Sequence, residues 1–301
     1  MSVKTLIVIA GPTAIGKTAL AVKVAKHFQA EILSADSRQF YREMNIGTAK
    51  PSVDELAEVK HHFINSSSIT DSVTVGDFEK AGLSVLENLF KTNEIAVLVG
   101  GSGLFVQAIC KGFDDLPSIA PGIRESLNKE LEELGLECLQ NKLKDVDPIY
   151  YSEMDISNPQ RVIRALEVFI STNKPFSSFR QQNLSTRPFN VIKIGLNTAR
   201  EFLYNRINER VDSMMQAGLL DEVKSLKEFQ HLNALNTVGY AELFLYLNGE
   251  LTLEQAVSLI KQNTRRFAKR QLTWFRKDTN LVWFEPDATQ LITYLQQKIL
   301  L

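Results

Sequence analysis

Gly11-Pro12-Thr13-Ala14-Ile15-Gly16-Lys17-Thr18 fits the pattern G-x-x-x-x-G-K-[ST]. The apolar run Thr5–Ile9 precedes it and a helical pattern over Ala19–Phe28 follows. This is the strand–loop–helix setting that separates a phosphate loop from a chance match in an ordinary turn. The glycines let backbone N–H groups close around an anion, and the helix N-terminus adds positive potential. Lys17 supplies a point charge and Thr18 can ligate Mg²⁺. Gly11, Pro12, Thr13, Ala14, Ile15, Gly16, Lys17 and Thr18 therefore form the expected phosphate-binding loop. The pattern is that of nucleotide-binding and ATP-binding proteins, and it does not name its ligand.

Outward from the loop, short apolar runs alternate with longer helical patterns, as in a parallel α/β sheet. The expected strands are Thr5–Ile9, Glu31–Ser34, Ile95–Val99, Val191–Leu196 and Leu281–Phe284. Between Phe113 and Asn190 the strand signal disappears, and six prolines separate short amphipathic patterns such as Ile123–Leu134 and Val162–Ile170. Asn158-Pro159 offers a side-chain cap followed by proline at a first helical position. Thr252 and Gln255 have capping-box spacing and open a helix expected to reach about Arg276. The fold class is thus α/β, a P-loop NTPase/kinase-like parallel sheet core with an inserted helical domain. Residues 1–115 and 190–301 are assigned to the core and 116–189 to the insertion.

The chain has 301 residues, 44% hydrophobic and 23% charged, enough for a substantial core. Its net charge of −1 means that any nucleic acid must be held by a local basic patch. Cys110 and Cys138 form no CxxC or Cys/His cluster, which excludes a disulfide framework and argues against structural zinc. Leu6–Ala10 is too short for a signal-peptide core, and no stretch approaches the roughly 18 apolar residues of a membrane span. A soluble, cytoplasmic protein with no membrane partner is expected.

A nucleotide-hydrolysing switch would carry an Asp after a later strand to help hold Mg²⁺. Here Ile95–Val99 runs into Gly100-Gly101-Ser102-Gly103, without an acid. A guanine-reading N-K-x-D is also missing, since Asn173-Lys174 is followed by Pro175-Phe176. The acid appears instead in Ser34-Ala35-Asp36-Ser37, after the second strand. In a doubly wound sheet that is the carboxyl end of a strand next to the phosphate loop, where ligands bind. Asp36 there either takes a proton from an acceptor or caps a turn, and its position alone does not choose. A group transferase fits this pattern better than a motor or a switch.

Several further segments recur in order along nearly the whole chain: Asp36–Tyr41 (DSRQFY), Met44–Pro51 (MNIGTAKP), Val99–Ser102 (VGGS), Asn158–Glu167 (NPQRVIRALE), Val238–Tyr240 (VGY) and Lys269–Trp274 (KRQLTW). Together with the phosphate loop they resemble the tRNA dimethylallyltransferases, also called tRNA isopentenyltransferases. The resemblance implies transfer of a dimethylallyl group from dimethylallyl diphosphate to N6 of the adenosine immediately 3′ of the anticodon. It implies Mg²⁺ as cofactor, with Thr18 as a ligand, and Lys17 and Thr18 stabilising the departing diphosphate. Asp36 becomes the proton acceptor for the exocyclic amine. His61 and Arg210 become candidates for the diphosphate. Contact with tRNA is implied for Asp36, Ser37, Arg38, Gln39, Ser102, Arg124 and the run Gln160, Arg161, Val162, Ile163, Arg164. Ser102 stands where the family usually has Thr, which keeps the hydroxyl. Ala241 stands where a basic residue often follows VGY, which puts a contact from that turn in doubt.

Arg161 and Arg164 are three apart and share a helix face. The stretch Lys261–Lys277 carries seven basic residues and no acid, interleaved with Phe267, Trp274 and Phe275. It reads as a phosphate-tracking helix with Arg266 and Lys269 on its RNA side, or as a solvated face. The expected partners are a tRNA anticodon stem-loop and dimethylallyl diphosphate, with the enzyme a monomer. The target base must leave its stack, and an anticodon loop makes that extrusion cheap. A small-molecule P-loop kinase would leave the basic helix unexplained. An adenylate isopentenyltransferase would not need the large insertion, and a non-catalytic RNA-binding module would not need the complete loop with Asp36.

Overall fold

A computed structural model describes residues 4–112, 116–117, 119–180 and 186–299. Six strands form one parallel sheet: β1 (Thr5–Ala10), β2 (Ile32–Ser34), β3 (His61–His62), β4 (Ile95–Gly100), β5 (Asn190–Leu196) and β6 (Val282–Phe284), in the order β3-β2-β4-β1-β5-β6. Central β1 pairs Ile7 with Val97 of β4 on one side and with Ile192 of β5 on the other. All six of its residues are buried, the continuous apolar signature of a strand covered on both faces. Alternation divides them: Ile7 and Ile9 join one core cluster, while Leu6, Val8 and Ala10 join the other.

The helices are α1 (Lys17–His27), α2 (Val53–Glu58), α3 (Val75–Leu89), α4 (Gly103–Lys111), α5 (Ile123–Leu134), α6 (Leu136–Val146), α7 (Pro148–Glu153), α8 (Pro159–Thr172), α9 (Arg200–Gln216), α10 (Leu219–Ser225), α11 (Tyr240–Leu247), α12 (Leu253–Phe275) and α13 (Ala288–Ile299). Leu20, Val24, Leu291 and Leu295 from α1 and α13 cover one face of the sheet; Phe78, Leu86, Phe105 and Ile109 from α3 and α4 cover the other. A third cluster gathers Met44, Val211, Leu219, Tyr240, Leu243 and Ile260 where α9–α12 meet. The start of α12 forms the capping box expected at Thr252: its hydroxyl accepts the Gln255 N–H at 3.2 Å and the Gln255 side chain accepts the Thr252 N–H at 2.8 Å.

Contacts divide the chain into two compact units, one built from positions up to Lys111 and from Thr186 onward, the other from positions 112–185. The second unit is helical and has its own core of Leu139, Leu143, Val162, Ile163, Leu166 and Tyr150. Return to the first unit falls at Thr186, not 190, because Arg187 is anchored to Glu79 at 2.6 Å and Phe189 packs under the sheet. The other expected boundary, at residue 115, lies outside the described residues.

Two features of the sheet are not legible in the sequence. β3 has only His61 and His62, too short to show any alternation. More consequentially, β2 is not next to β1, because β4 lies between them. Asp36 still comes near the phosphate loop, since β4 ends at Gly100, Gly101 follows, and no side chain there stands in the way.

Candidate active site

β1 delivers the chain into the phosphate loop and α1 takes it out at Lys17. Gly16, the residue before α1, has φ 99°, a left-handed conformation that glycine adopts without strain. A cavity of about 440 Å³ opens above the loop, bounded by Gly16, Lys17, Thr18, Asp36, Arg206 and Arg210 among others. The Lys17 ammonium donates to the Pro12 carbonyl at 2.8 Å. Burial pulls its pKa down to about 8, with the Asp36 carboxylate pulling upward and Arg210 adding to the depression. Burial also lowers the pKa of Arg210, again opposed by Asp36. Three cations, Lys17, Arg206 and Arg210, against two carboxylates, Asp36 and Glu55, leave the cavity with excess positive charge, suited to a polyanion.

Beside it lies a second cavity of about 550 Å³, walled by apolar side chains of α9 and α12 including Ile207, Val211, Met214, Ile260 and Phe267. Thr13, Asp36, Arg210, Phe267 and Gln271 border both cavities. Asp36 thus faces the cationic pocket on one side and the apolar channel on the other. Its Oδ1 accepts the Arg38 N–H at 3.0 Å, a turn that fixes the carboxylate. Ser102 Oγ accepts the Ser37 N–H at 3.2 Å, so Ser102 braces that turn while bordering the channel. Ser37 and Arg38 border it too. Gln39 does not: its amide donates to the Thr48 and Ala49 carbonyls at 3.3 and 3.1 Å and its oxygen accepts the Ser34 hydroxyl at 3.1 Å. Its polar atoms tie β2 to the GTAKP turn, and it borders the phosphate cavity instead.

His61 is likewise not among the residues bordering the phosphate cavity. Its Nδ1 lies 2.8 Å from the Val59 carbonyl, its Nε2 is buried without a partner, and burial lowers its pKa. These observations describe a neutral ring on the edge strand, not a ligand aimed at the diphosphate.

Glu222 of α10 escaped the sequence reading. Its carboxylate accepts the N–H groups of Asn45, Ile46 and Gly47 at 2.9, 2.8 and 3.1 Å, and the Tyr240 hydroxyl at 2.6 Å. A Cβ on Gly47 would overlap the Tyr240 ring. Lys50 closes the same turn by donating to the Tyr41 carbonyl, Asn45 Oδ1 and Asn65 Oδ1 at 2.7, 2.8 and 2.5 Å. GTAKP and VGY are therefore two halves of one bracket that sets Gly47 and Thr48 in the channel wall. Glu222→Ala leaves four donors without their acceptor, and is expected to lower unfolding free energy by about 2–3 kcal/mol in urea titrations. An unchanged midpoint would show the bracket to be dispensable.

The basic stretch on α12 divides by direction. Lys261 pairs with Asp212 and Arg265 donates to Asn208 at 2.6 Å, both toward α9. Arg266, Lys269, Arg270 and Lys277 are exposed and, with Thr273 and Trp274, border an open groove of about 430 Å³. In the insertion, Glu167 is buried and is paired with Arg124 and with Arg164. Arg124 and Arg164 thus neutralise an internal carboxylate, and Val162 and Ile163 have fully buried side chains. Side-chain contact with RNA from Val162 and Ile163 is excluded by that burial. Gln160 and Arg161 are exposed, Arg161 lying 3.8 Å from Asp155.

Among the described residues no His/Cys/Asp/Glu cluster of metal-binding size occurs, and no helix is long and apolar enough to cross a membrane. The IPP transferase family model matches residues 39–278. A tRNA dimethylallyltransferase of Christiangramia forsetii is 55% identical over 98% of both chains. The crystal structure of a full-length tRNA isopentenylpyrophosphate transferase from Bacillus halodurans superposes with a TM-score of 0.73 at 36% identity, covering 98% of this chain and 97% of that one. A eukaryotic dimethylallyltransferase crystallised acting on tRNA gives 0.79 at 26% identity, over 98% of this chain and 77% of that one. The chain belongs to the IPP transferase family, and with it to the tRNA dimethylallyltransferases.

Proposed function

We propose that this enzyme transfers the dimethylallyl group of dimethylallyl diphosphate to N6 of the adenosine immediately 3′ of the anticodon, forming N6-isopentenyladenosine and releasing diphosphate. The observation that carries the reading is Asp36 on the boundary between a cationic phosphate cavity and an apolar-walled channel. In this reading the diphosphate lies over the phosphate loop against Lys17 and Arg210. The allylic tail points toward Asp36, and the adenine enters by the channel. As the C–O bond breaks, Lys17, Arg210 and the loop amides stabilise the charge growing on the leaving oxygen. As the C–N bond forms, the amine proton passes to Asp36. Apolar walls keep water from the allylic carbon.

Mg²⁺ fits the residues present. Thr18, Ser34 and Asp36 bring oxygens to the phosphate cavity, and a magnesium ion bound mainly through substrate phosphates needs only one or two protein ligands. Thr18 would hold it, and its charge would help neutralise the diphosphate. The enzyme works as a cytoplasmic monomer in this reading.

The deciding assay supplies purified protein with labelled dimethylallyl diphosphate, Mg²⁺ and either unmodified tRNA, AMP or ATP. Label entering tRNA alone is the expected outcome. Label entering AMP or ATP would make it an adenylate prenyltransferase, and no transfer at all would overturn prenyl transfer.

The exposed groove on α12 is assigned to the tRNA backbone. Arg266→Glu combined with Lys269→Glu is expected to weaken tRNA binding and flatten its dependence on salt by about one unit of log–log slope per lost phosphate contact. Affinity for dimethylallyl diphosphate should stay the same. An unaltered salt slope would remove this helix from the interface.

A further inference from the structure

Helix α12 turns exposed basic side chains outward and one buried polar side chain inward. That side chain is Gln271, only 7% exposed. A primary amide in such surroundings is costly unless both its ends are bonded. Here Oε1 accepts the Thr13 N–H of the phosphate loop at 2.8 Å, and Nε2 donates to the Gly101 carbonyl after β4 at 2.9 Å. A Cβ on Gly101 would overlap that amide nitrogen, so the second glycine of VGGS is the residue that admits it. From Gly101 the connection continues through Ser102 Oγ to the Ser37 N–H, beside Asp36. One side chain thus ties the loop assigned to the donor diphosphate to the turn assigned to the proton acceptor.

We propose that Gln271 is a positioning residue: by holding Thr13 and Gly101 at once it sets the separation between the diphosphate cradle and Asp36, and hence the alignment of carbon and nitrogen. The inference rests on the prenyl-transfer reading. Gln271 takes no proton and forms no bond in the reaction. Its effect lies in geometry, where a displacement of about 1 Å can cost roughly a hundredfold in rate. Because it projects from the helix whose outer face is assigned to RNA, the same helix carries both the docking surface and the tie.

Two variants test this. Gln271→Met keeps the length and loses both hydrogen bonds. Gln271→Glu keeps an acceptor for Thr13 but, when ionised, has no donor for Gly101. When protonated it regains one donor and one acceptor, the two functions that the amide uses here. Single-turnover transfer with both substrates saturating should fall by roughly 10- to 100-fold in Gln271→Met, with dissociation constants for tRNA and dimethylallyl diphosphate within about threefold of wild type. The rate of Gln271→Glu, divided by that of wild type at each pH, should rise as pH falls from about 8 to about 5.5, since burial raises a carboxyl pKa toward that range. A residue that merely fills space would show no such recovery. Amide hydrogen exchange at Thr13, measured without any substrate, should quicken in Gln271→Met, and this tests the tie even if the wild type proves not to prenylate tRNA. Near-wild-type transfer by Gln271→Met, a loss lying wholly in substrate affinity, a pH-independent ratio, or unchanged exchange at Thr13 would each overturn the assignment.

Discussion

Replacing Lys17 with alanine is expected to lower turnover by roughly 10²–10³-fold, the scale of losing one donor that acts on transition-state charge. The ammonium lies in the cavity with Asp36, Arg206 and Arg210, where burial weakens screening by water. Its attraction for the leaving oxygen grows as the allylic bond breaks, so the loss falls more on kcat than on KM. A moderate rise in KM for dimethylallyl diphosphate should accompany it, with tRNA affinity near normal. Burial brings the Lys17 pKa to about 8, which adds a signature in pH. Only the protonated form attracts the diphosphate, and the bound anion raises the pKa. Donor affinity should therefore be level below pH 8 and fall by about tenfold per unit above it, until the pKa of the bound state is reached. The donor's own charge is steady there, since phosphate second ionisations lie near 6. Titration calorimetry at fixed Mg²⁺ from about pH 7 to 9.5 reads this directly, with Lys17→Ala as the control that should lack the fall. A level wild-type curve, or wild-type turnover in the variant, would show that the diphosphate lies elsewhere.

What could be read from sequence followed from how local each signal is. β1, the phosphate loop and α1 are contiguous, so a pattern over Thr5–Phe28 contains the whole unit. The α12 start was legible because a capping box is a three-residue rule satisfied within its own turn. Strand order was not, because parallel strands are joined by long crossovers that leave no record of which neighbour each finds. Hence the placement of β4 between β2 and β1 is visible only in the structure. Glu222 and Gln271 were missed for a related reason. Each sits on an amphipathic helix as one polar residue among many, and its partners lie at Asn45–Gly47 or at Thr13 and Gly101, far along the chain. In the motif NPQRVIRALE, Glu167 lies within an otherwise apolar face, and a buried carboxylate must have cations, here Arg124 and Arg164. Charge counting along Lys261–Lys277 likewise cannot tell exposed cations from paired ones, since sequence does not show that Asp212 and Asn208 of α9 engage Lys261 and Arg265.

Asp36→Asn should show the largest effect, because it separates chemistry from every other role that position can have. Asparagine retains the Oδ1 that accepts the Arg38 N–H at 3.0 Å, so the turn survives the exchange. It cannot accept a proton at neutral pH, and general-base assistance is worth roughly 10²–10⁴-fold, which is the fall expected in turnover. Affinity for tRNA should stay within a few-fold, because a carboxylate contributes nothing attractive to phosphates. Two confounding effects have their own controls. Asp36 holds the Lys17 pKa up, so its neutralisation lets that pKa drop further and weakens donor binding at higher pH. A defect arising that way would disappear on lowering the pH to about 6.5, where Lys17 recovers its proton. If Asp36 served chiefly as a Mg²⁺ ligand, the defect would lie in metal affinity and excess Mg²⁺ would restore most of the rate. Loss of the proton acceptor predicts a fall that neither saturating donor, nor lower pH, nor added Mg²⁺ repairs. A turn residue alone predicts near silence, since asparagine favours the same turns. Turnover close to wild type in Asp36→Asn would therefore remove Asp36 from the chemistry and leave the amine proton to another acceptor in the channel.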